Sequence, residues 1–354
     1  MKPVNAVIWG LGSMGVGLAR MISGKNGIQV CGAIDKQPEK AGKDLSSVTG
    51  APGYEHIPVA RSLAECPLED ADIVLVATAS HVKDVFPQVM EALSNGLDVI
   101  TTAEEMAYPW PSEPELSKKM DEMAREQGHR VLGTGINPGF VMDLLAVMLT
   151  APCAEVERVR VTRTNDLSPF GLTVLKEQGV GMTAEEFRRK AAEGTLEGHV
   201  GFLQSIHMIS DALGLNVDRI EQSREPVISS VYREEKGVTV RPGMVAGCRQ
   251  TGRGYRKDEC VIELIHPQQI HPWMENIETG DFIEICSTPD VAVSIKPEIP
   301  GGLGTVGLVV NSIPLLFKAR PGLLTMLDLH VPTAFMGDFR SKAGFLSGCG
   351  HGND

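Results

Sequence analysis

The chain has 354 residues, 42% hydrophobic and 22% charged, enough for two domains with sizeable cores and too apolar for a disordered protein. A net charge of -12 and a pI near 5.3 argue against a nucleic-acid partner, whose binding draws on clustered Lys and Arg. Seven scattered cysteines without a CxxC pair predict reduced thiols and no metal site, and the lack of a signal peptide or membrane-spanning run predicts a cytoplasmic protein.

The first elements in chain order are a short apolar strand and a helix joined in "AVIWGLGSMGVGLARMI". Gly10, Gly12 and Gly15, with Ser13 and Met14 between them, form a G-x-G-x-x-G in the context that makes it informative. Gly10 permits the tight turn, Gly12 lets the backbone approach a pyrophosphate, and Gly15 lets the helix press on the strand. A second strand, "IQVCGAID", ends in Asp35, twenty residues beyond Gly15, where a carboxylate accepts hydrogen bonds from an adenosine ribose. The pattern predicts a dinucleotide cofactor. Asp35 favours NAD, because a 2′-phosphate about 4 Å away meets repulsion of several kcal/mol at an effective dielectric of about 20. NADP stays open through Lys36, which comes immediately after and can pair with a phosphate.

"ADIVLVATAS" is the next buried strand and delivers Thr78, Ala79 and Ser80 to its carboxyl end, the edge where open parallel sheets hold ligands. Pro87 predicts a helix delayed to about residue 85. The strand "LDVITT" leads to the adjacent Glu104 and Glu105, Ser112 and Glu115 form a capping box for a helix ending at Gly128, and "HRVLGTGI" closes the sheet. This alternation predicts a Rossmann, doubly wound parallel sheet over residues 1–140.

From there the grammar changes to short strands bounded by turns, a largely antiparallel, open-faced α+β domain over residues 141–310. It is interrupted by the helices of "TAEEFRRKAAEG", capped by Thr183 and Glu186, and "HVGFLQSIHMISDALG". The segment 311–354 is expected to pack back on the first domain, and a crevice between the two domains is the default substrate site. In "VERVRVTRTN", Val159, Val161, Arg163 and Asn165 share one parity, so Arg163 continues an inward apolar row. A buried guanidinium needs a carboxylate: either Asp166 or a glutamate of the fold, or the carboxylate of a substrate held bidentately. His199 opens a helix on the face of Leu203 and Ile206. "GGLGTVG" reads as a glycine-rich approach to a helix whose amides and Thr305 hydroxyl can touch a polar ligand, or as a loop between domains.

"GLGSMGVG", "TTAEEMAYP", "GTGINPGFVMD", "TRTNDLSPFG" and "GGLGTVGLVVNSIP" together resemble the 2,4-diaminopentanoate dehydrogenases and related native amine dehydrogenases, whose N-terminal domain is similar to that of dihydrodipicolinate reductase. The resemblance covers most of the chain. It implies NAD(P)-linked oxidative deamination of 2,4-diaminopentanoate to 2-amino-4-oxopentanoate and ammonia, a step of ornithine degradation, by a dimer or tetramer. It assigns the catalytic carboxylate to Glu104, with Glu105 in support. It also implies that Arg163 and Asn165 hold the substrate carboxylate end, that Phe140, Phe170, His199 and Thr305 line the pocket, and that Asn137, Pro138 and Gly139 meet the nicotinamide. Phe170 stands where some relatives have tyrosine. The motifs of dihydrodipicolinate reductase itself, of homoserine dehydrogenase and of the sugar-oxidising family are missing; a simple alkyl-amine dehydrogenase and a non-catalytic NAD(P) sensor are the rivals.

Overall fold

A computed structural model describes residues 2–344. The described residues form two compact units, 2–139 with 301–344, and Phe140–Pro300; the rest of the C-terminal segment expected to pack back lies outside the described residues. The expected boundary at 310 therefore falls inside a helix that belongs whole to the first unit.

The first unit begins with β1 (Val4–Trp9), α1 (Ser13–Ser23), β2 (Ile28–Ile34), α2 (Leu45–Thr49), β3 (Val59–Ala60) and β4 (Ile73–Val76). It continues through α3 (Val82–Ser94), β5 (Asp98–Thr101), α4 (Pro114–Gln127) and β6 (Arg130–Gly133). β1, β4 and β5 are buried at every residue, as strands covered on both faces must be. In α1 the buried residues are Gly15, Leu18, Ala19 and Ile22, the spacing of one helical face. Two details differ from expectation. α3 starts at Val82 and carries Pro87 inside it, because the Glu105 carboxylate accepts the Val82 amide (2.9 Å) and caps the helix there. α4 opens on Pro114 with Glu113 at the cap position, while the Ser112 hydroxyl donates to Pro109, so Ser112 and Glu115 form no capping box.

The second unit comprises α5 (Leu144–Leu149), β7 (Glu155–Asp166), α6 (Leu172–Glu177), α7 (Ala184–Ala192), α8 (Phe202–Leu213), β8 (Arg219–Ile228), β9 (Arg233–Glu235), β10 (Val238–Val240), β11 (Val245–Arg256), β12 (Glu259–Gln269), β13 (Gly280–Thr288) and β14 (Val291–Ile295). Its six-stranded sheet runs β14-β13-β7-β12-β11-β8 and is antiparallel except where β7 meets β12. α8 lies against β11 through two glycines: a Cβ on Gly252 would meet the Phe202 ring at 2.7 Å, and one on Gly254 would meet Ile206 at 2.9 Å. The Thr183 hydroxyl accepts the Glu186 amide and caps α7 as its sequence predicts.

The chain then returns to the first unit with α9 (Gly301–Leu316), β15 (Gly322–Leu324) and α10 (Phe339–Ala343). β15 adds to β6 and completes a wholly parallel sheet ordered β15-β6-β5-β4-β1-β2-β3. "GGLGTVG" is thus the opening of a helix, not a loop before one. Gly17 of α1 faces Val306, and Gly302 faces Met14, so missing side chains bring α9 close to α1.

Candidate active site

The register of the parallel sheet sets Ile34, Trp9, Val76, Thr101 and Gly133 in one line across five strands. The chain leaves all five strands on one edge, which therefore collects Asp35, the glycine turn, Thr78 to Ser80, the glutamates, and the segment from Thr134 to Gly139. At the turn, a Cβ on Gly10 would strike the Ala77 carbonyl at 2.5 Å and one on Gly15 would strike the Gly10 carbonyl at 1.8 Å. A Cβ on Gly12, the N-cap of α1, would meet nothing within 4 Å. That open ground before unpaired amides of a helix N-terminus fits a pyrophosphate. The residues present therefore fit a nicotinamide dinucleotide.

Asp35 is held more firmly than its sequence suggests. Oδ2 accepts the Leu11 amide and Lys40 Nζ, both at 2.9 Å, and Oδ1 accepts the Gln37 amide at 2.9 Å. Burial raises this carboxyl, but the Gln37 amide, Lys40 and the Leu11 amide outweigh burial and bring it below the usual carboxylate range. The cation beside it is Lys40; Lys36 is exposed. Thr78, also exposed, donates its hydroxyl to Gln88 (2.6 Å).

The paired glutamates lie in a 3₁₀ turn, Glu104–Ala107, and not in extended chain. Successive side chains in such a turn diverge by about 120°. Glu105 turns to α3: its amide donates to the Ser80 carbonyl (3.1 Å), Oε2 accepts the Val82 amide and Oε1 pairs with His81 Nδ1 at 3.2 Å. The turn rests on Gly133 of β6, where a Cβ would lie 2.1 Å from the Met106 carbonyl oxygen. No local signal in "VLGTGI" marks that glycine, because its constraint comes from a turn about thirty residues away. Farther along, Thr305 Oγ1 accepts the Ile136 amide (3.1 Å), and a Cβ on Gly139, at φ +122, would collide with the backbone of Gly135 at 2.7 Å. Thr305 is half-buried, and its hydroxyl braces the segment that carries Asn137 and Pro138.

In the second unit the expected parity holds, with Val159, Val161, Arg163 and Asn165 all buried. The carboxylate expected to meet Arg163 differs. The guanidinium, 2% exposed, pairs through Nη1 with Asp281 Oδ1 and donates from Nη2 to the Ile299 carbonyl (2.6 Å), while Asp281 Oδ2 accepts the Ile299 amide (2.9 Å). The carboxylate of the fold that meets it is neither Asp166 nor a glutamate: Asp281 stands directly opposite it on β13, and Asp166 instead accepts from Ser168 and His271. Asp281 and Ile299 thus hold the Arg163 guanidinium within the second unit.

Arg163 begins a polar row that crosses the inner face of the sheet. His266 of β12 lies beside it, Gln250 of β11 pairs with His266, and Arg224 of β8 pairs with Gln250. His266 Nε2 meets Asn165 Oδ1 at 2.8 Å, and burial, with His199 and Arg163 adding to it, keeps the imidazole neutral, well below its ordinary range. The His199 ring stands edge-on to His266, with centroids 5.0 Å apart. Gln250 fixes the His199 peptide from both sides, accepting its amide and donating to its carbonyl, each at 2.9 Å. Gln250 also donates to Gln222 (3.3 Å), and Gly198, at φ +69, is required because a Cβ there would lie 2.6 Å from Gln250 Oε1. Half-buried Phe140 opens this unit, and its carbonyl accepts the Leu145 amide (2.8 Å). Phe170 packs on a small cluster of Leu167, Leu175, Val180, Val240, Ala246 and Ile270.

A glycine-turn dinucleotide edge with paired glutamates beyond one of its strands, joined to an open-faced second sheet, defines a nicotinamide-dependent oxidoreductase. A family model described as the 2,4-diaminopentanoate dehydrogenase C-terminal domain matches residues 140–344. A 2,4-diaminopentanoate dehydrogenase from Acetoanaerobium sticklandii is 44% identical, covering 96% of this chain and 97% of its own. The chain belongs to the 2,4-diaminopentanoate dehydrogenase family. Among solved structures, the amine dehydrogenase from Mycobacterium smegmatis superposes with a TM-score of 0.83 at 25% identity, covering 94% of this chain and 98% of its own. A biliverdin reductase from Synechocystis, solved with biliverdin and NADP+, shares the fold alone, with a TM-score of 0.53 at 16% identity over 92% of this chain and 95% of its own.

Proposed function

We propose that this protein catalyses NAD(P)-dependent oxidative deamination of 2,4-diaminopentanoate to 2-amino-4-oxopentanoate and ammonia, reversibly, with Glu104 as its catalytic carboxylate. The family supports the reaction, and one observation supports the choice of Glu104: the Glu105 carboxylate turns to α3, to the Val82 amide and His81, and successive side chains of the 3₁₀ turn after β5 diverge by about 120°. The bound nicotinamide supplies the hydride acceptor. Glu104 removes the proton from the substrate ammonium, so that the nitrogen lone pair can drive hydride loss. It passes that proton to solvent and, a carboxylate again, stabilises the iminium cation, takes a proton from the water that adds to its carbon, and returns it to the nitrogen, which leaves as ammonia. Gly10, Gly12, Ser13, Met14 and Gly15 hold the pyrophosphate turn, and Asp35 holds the ribose. Asn137, Pro138 and Gly139 approach the nicotinamide. The family resemblance assigns substrate contacts to Phe140, Asn165, Phe170, His199 and Thr305. Arg163 supplies no argument against simple alkyl amines, so the choice of a carboxylated diamine rests on the 44% identical relative. No described helix is long and apolar enough to cross a membrane. The same reading places the enzyme in the cytoplasm, in ornithine degradation, as a homo-oligomer.

The test is NADH formation at mildly alkaline pH with 2,4-diaminopentanoate, alkyl amines and amino acids. Glu104→Gln should keep cofactor binding and lose about 100-fold or more in kcat, the range of general acid–base catalysis. Glu105→Gln should keep most of its turnover. The reverse ranking would move the chemistry to Glu105, and turnover of none of these amines with tight cofactor binding would leave a sensor.

A further inference from the structure

We infer that Lys40 is the residue that admits NADP as well as NAD, by moving between the Asp35 carboxylate and a 2′-phosphate. The inference rests on the dinucleotide edge and not on the amine chemistry. A carboxylate offers about four acceptor positions. Three are taken from within the chain, by the Leu11 amide, the Gln37 amide and Lys40 Nζ. With Lys40 in place, one position is left for a ribose hydroxyl; when Lys40 leaves, two are open.

The two amides are fixed parts of the fold, since Leu11 lies in the glycine turn and Gln37 comes just after β2. Lys40 is the movable member. It stands in the turn that begins at Gln37, its side chain is 25% exposed, and its ammonium reaches Oδ2 on a flexible stem. A bare Asp35 would repel a 2′-phosphate by several kcal/mol at about 4 Å and an effective dielectric of about 20. Paired with Lys40 it has no net charge. A 2′-phosphate can then take the ammonium as its partner while both amides keep the carboxylate solvated. Lys36 and Arg61 are further exposed cations just beyond β2 and β3.

The experiment measures direct binding of NADH and NADPH by calorimetry, without substrate, and competition by 2′-AMP against 5′-AMP. The unmodified enzyme should bind both reduced coenzymes. Lys40→Gln should weaken NADPH and 2′-AMP at least about tenfold, a loss worth about 1.4 kcal/mol, while NADH changes by less than about threefold. Lys40→Arg, which keeps the charge, should retain NADPH. Equal loss of NADH and NADPH in Lys40→Gln would make Lys40 a brace of its turn, and an unmodified enzyme that does not bind NADPH would equally overturn the inference. Because no amine is present, neither outcome depends on whether the proposed deamination is right.

Discussion

At the edge of the parallel sheet, each functional group arrives on the residues just beyond a strand. Across the mixed sheet, Arg163 is held by Asp281 and His266 by Asn165, each from a neighbouring strand. The glycine turn begins one residue after β1 and the glutamates begin three after β5. Arg163 and Asp281 are 118 residues apart, and Asn165 and His266 are 101 apart. The first arrangement leaves its groups answerable to local sequence. The second makes each group answerable to strand register, so that a substitution on one strand is felt on its neighbour.

If that contrast is sound, breaking one link of the polar row should harm the fold before it harms the chemistry. The largest effect belongs to Arg163→Met, which strands Asp281 as a buried carboxylate. Removing one member of a buried pair costs about 3–5 kcal/mol, read as a lower urea midpoint. A variant as stable as the parent, with only a raised KM for the diamine, would return Arg163 to the substrate.

Next comes Gln250→Met, which takes both hydrogen bonds from the His199 peptide. A loss of about 1–3 kcal/mol is expected. It should appear first as a lower urea midpoint, then as a rise in KM for the amine, with NADH affinity unchanged, because Gln250 belongs to the second unit and the dinucleotide edge to the first. Equal losses in amine and coenzyme binding would mean that the two regions are not separable in this way.

The smallest effect concerns pH. The native His266 imidazole stays neutral below its ordinary value of 6.5, so in acid the unfolded chain takes up a proton that the native chain refuses. Stability is then complete above about pH 6.5 and falls as the pH drops beneath it, by at most about 1.4 kcal/mol per unit. Between pH 7.5 and 5.5 the parent should lose about 1 kcal/mol more than His266→Asn. Equal losses would assign the acid sensitivity to other groups.

The same contrast explains how far the sequence can be read. Gly10, Gly12, Gly15 and Asp35 carry their meaning in spacing, and the parity of β7 places Arg163 inward correctly. What parity does not carry is the neighbour. Asp281 is invisible in the sequence because strand order, and hence the residue opposite Arg163, is chosen by the whole sheet. Lys36 draws the eye before Lys40 because adjacency along the chain is a poor guide where a turn folds five residues back. Pro87 misleads about the start of α3 because the cap that fixes it, Glu105, comes from beyond the next strand.

The bare α-carbon at Gly133 has a practical consequence. The turn that bears Glu104 is seated in a notch cut by its neighbour, so the acid and the notch form one transferable cassette. An engineer grafting residues 104–107 onto a related scaffold must carry that glycine along. Even a single methyl group left there would tilt the graft and misplace its carboxylate.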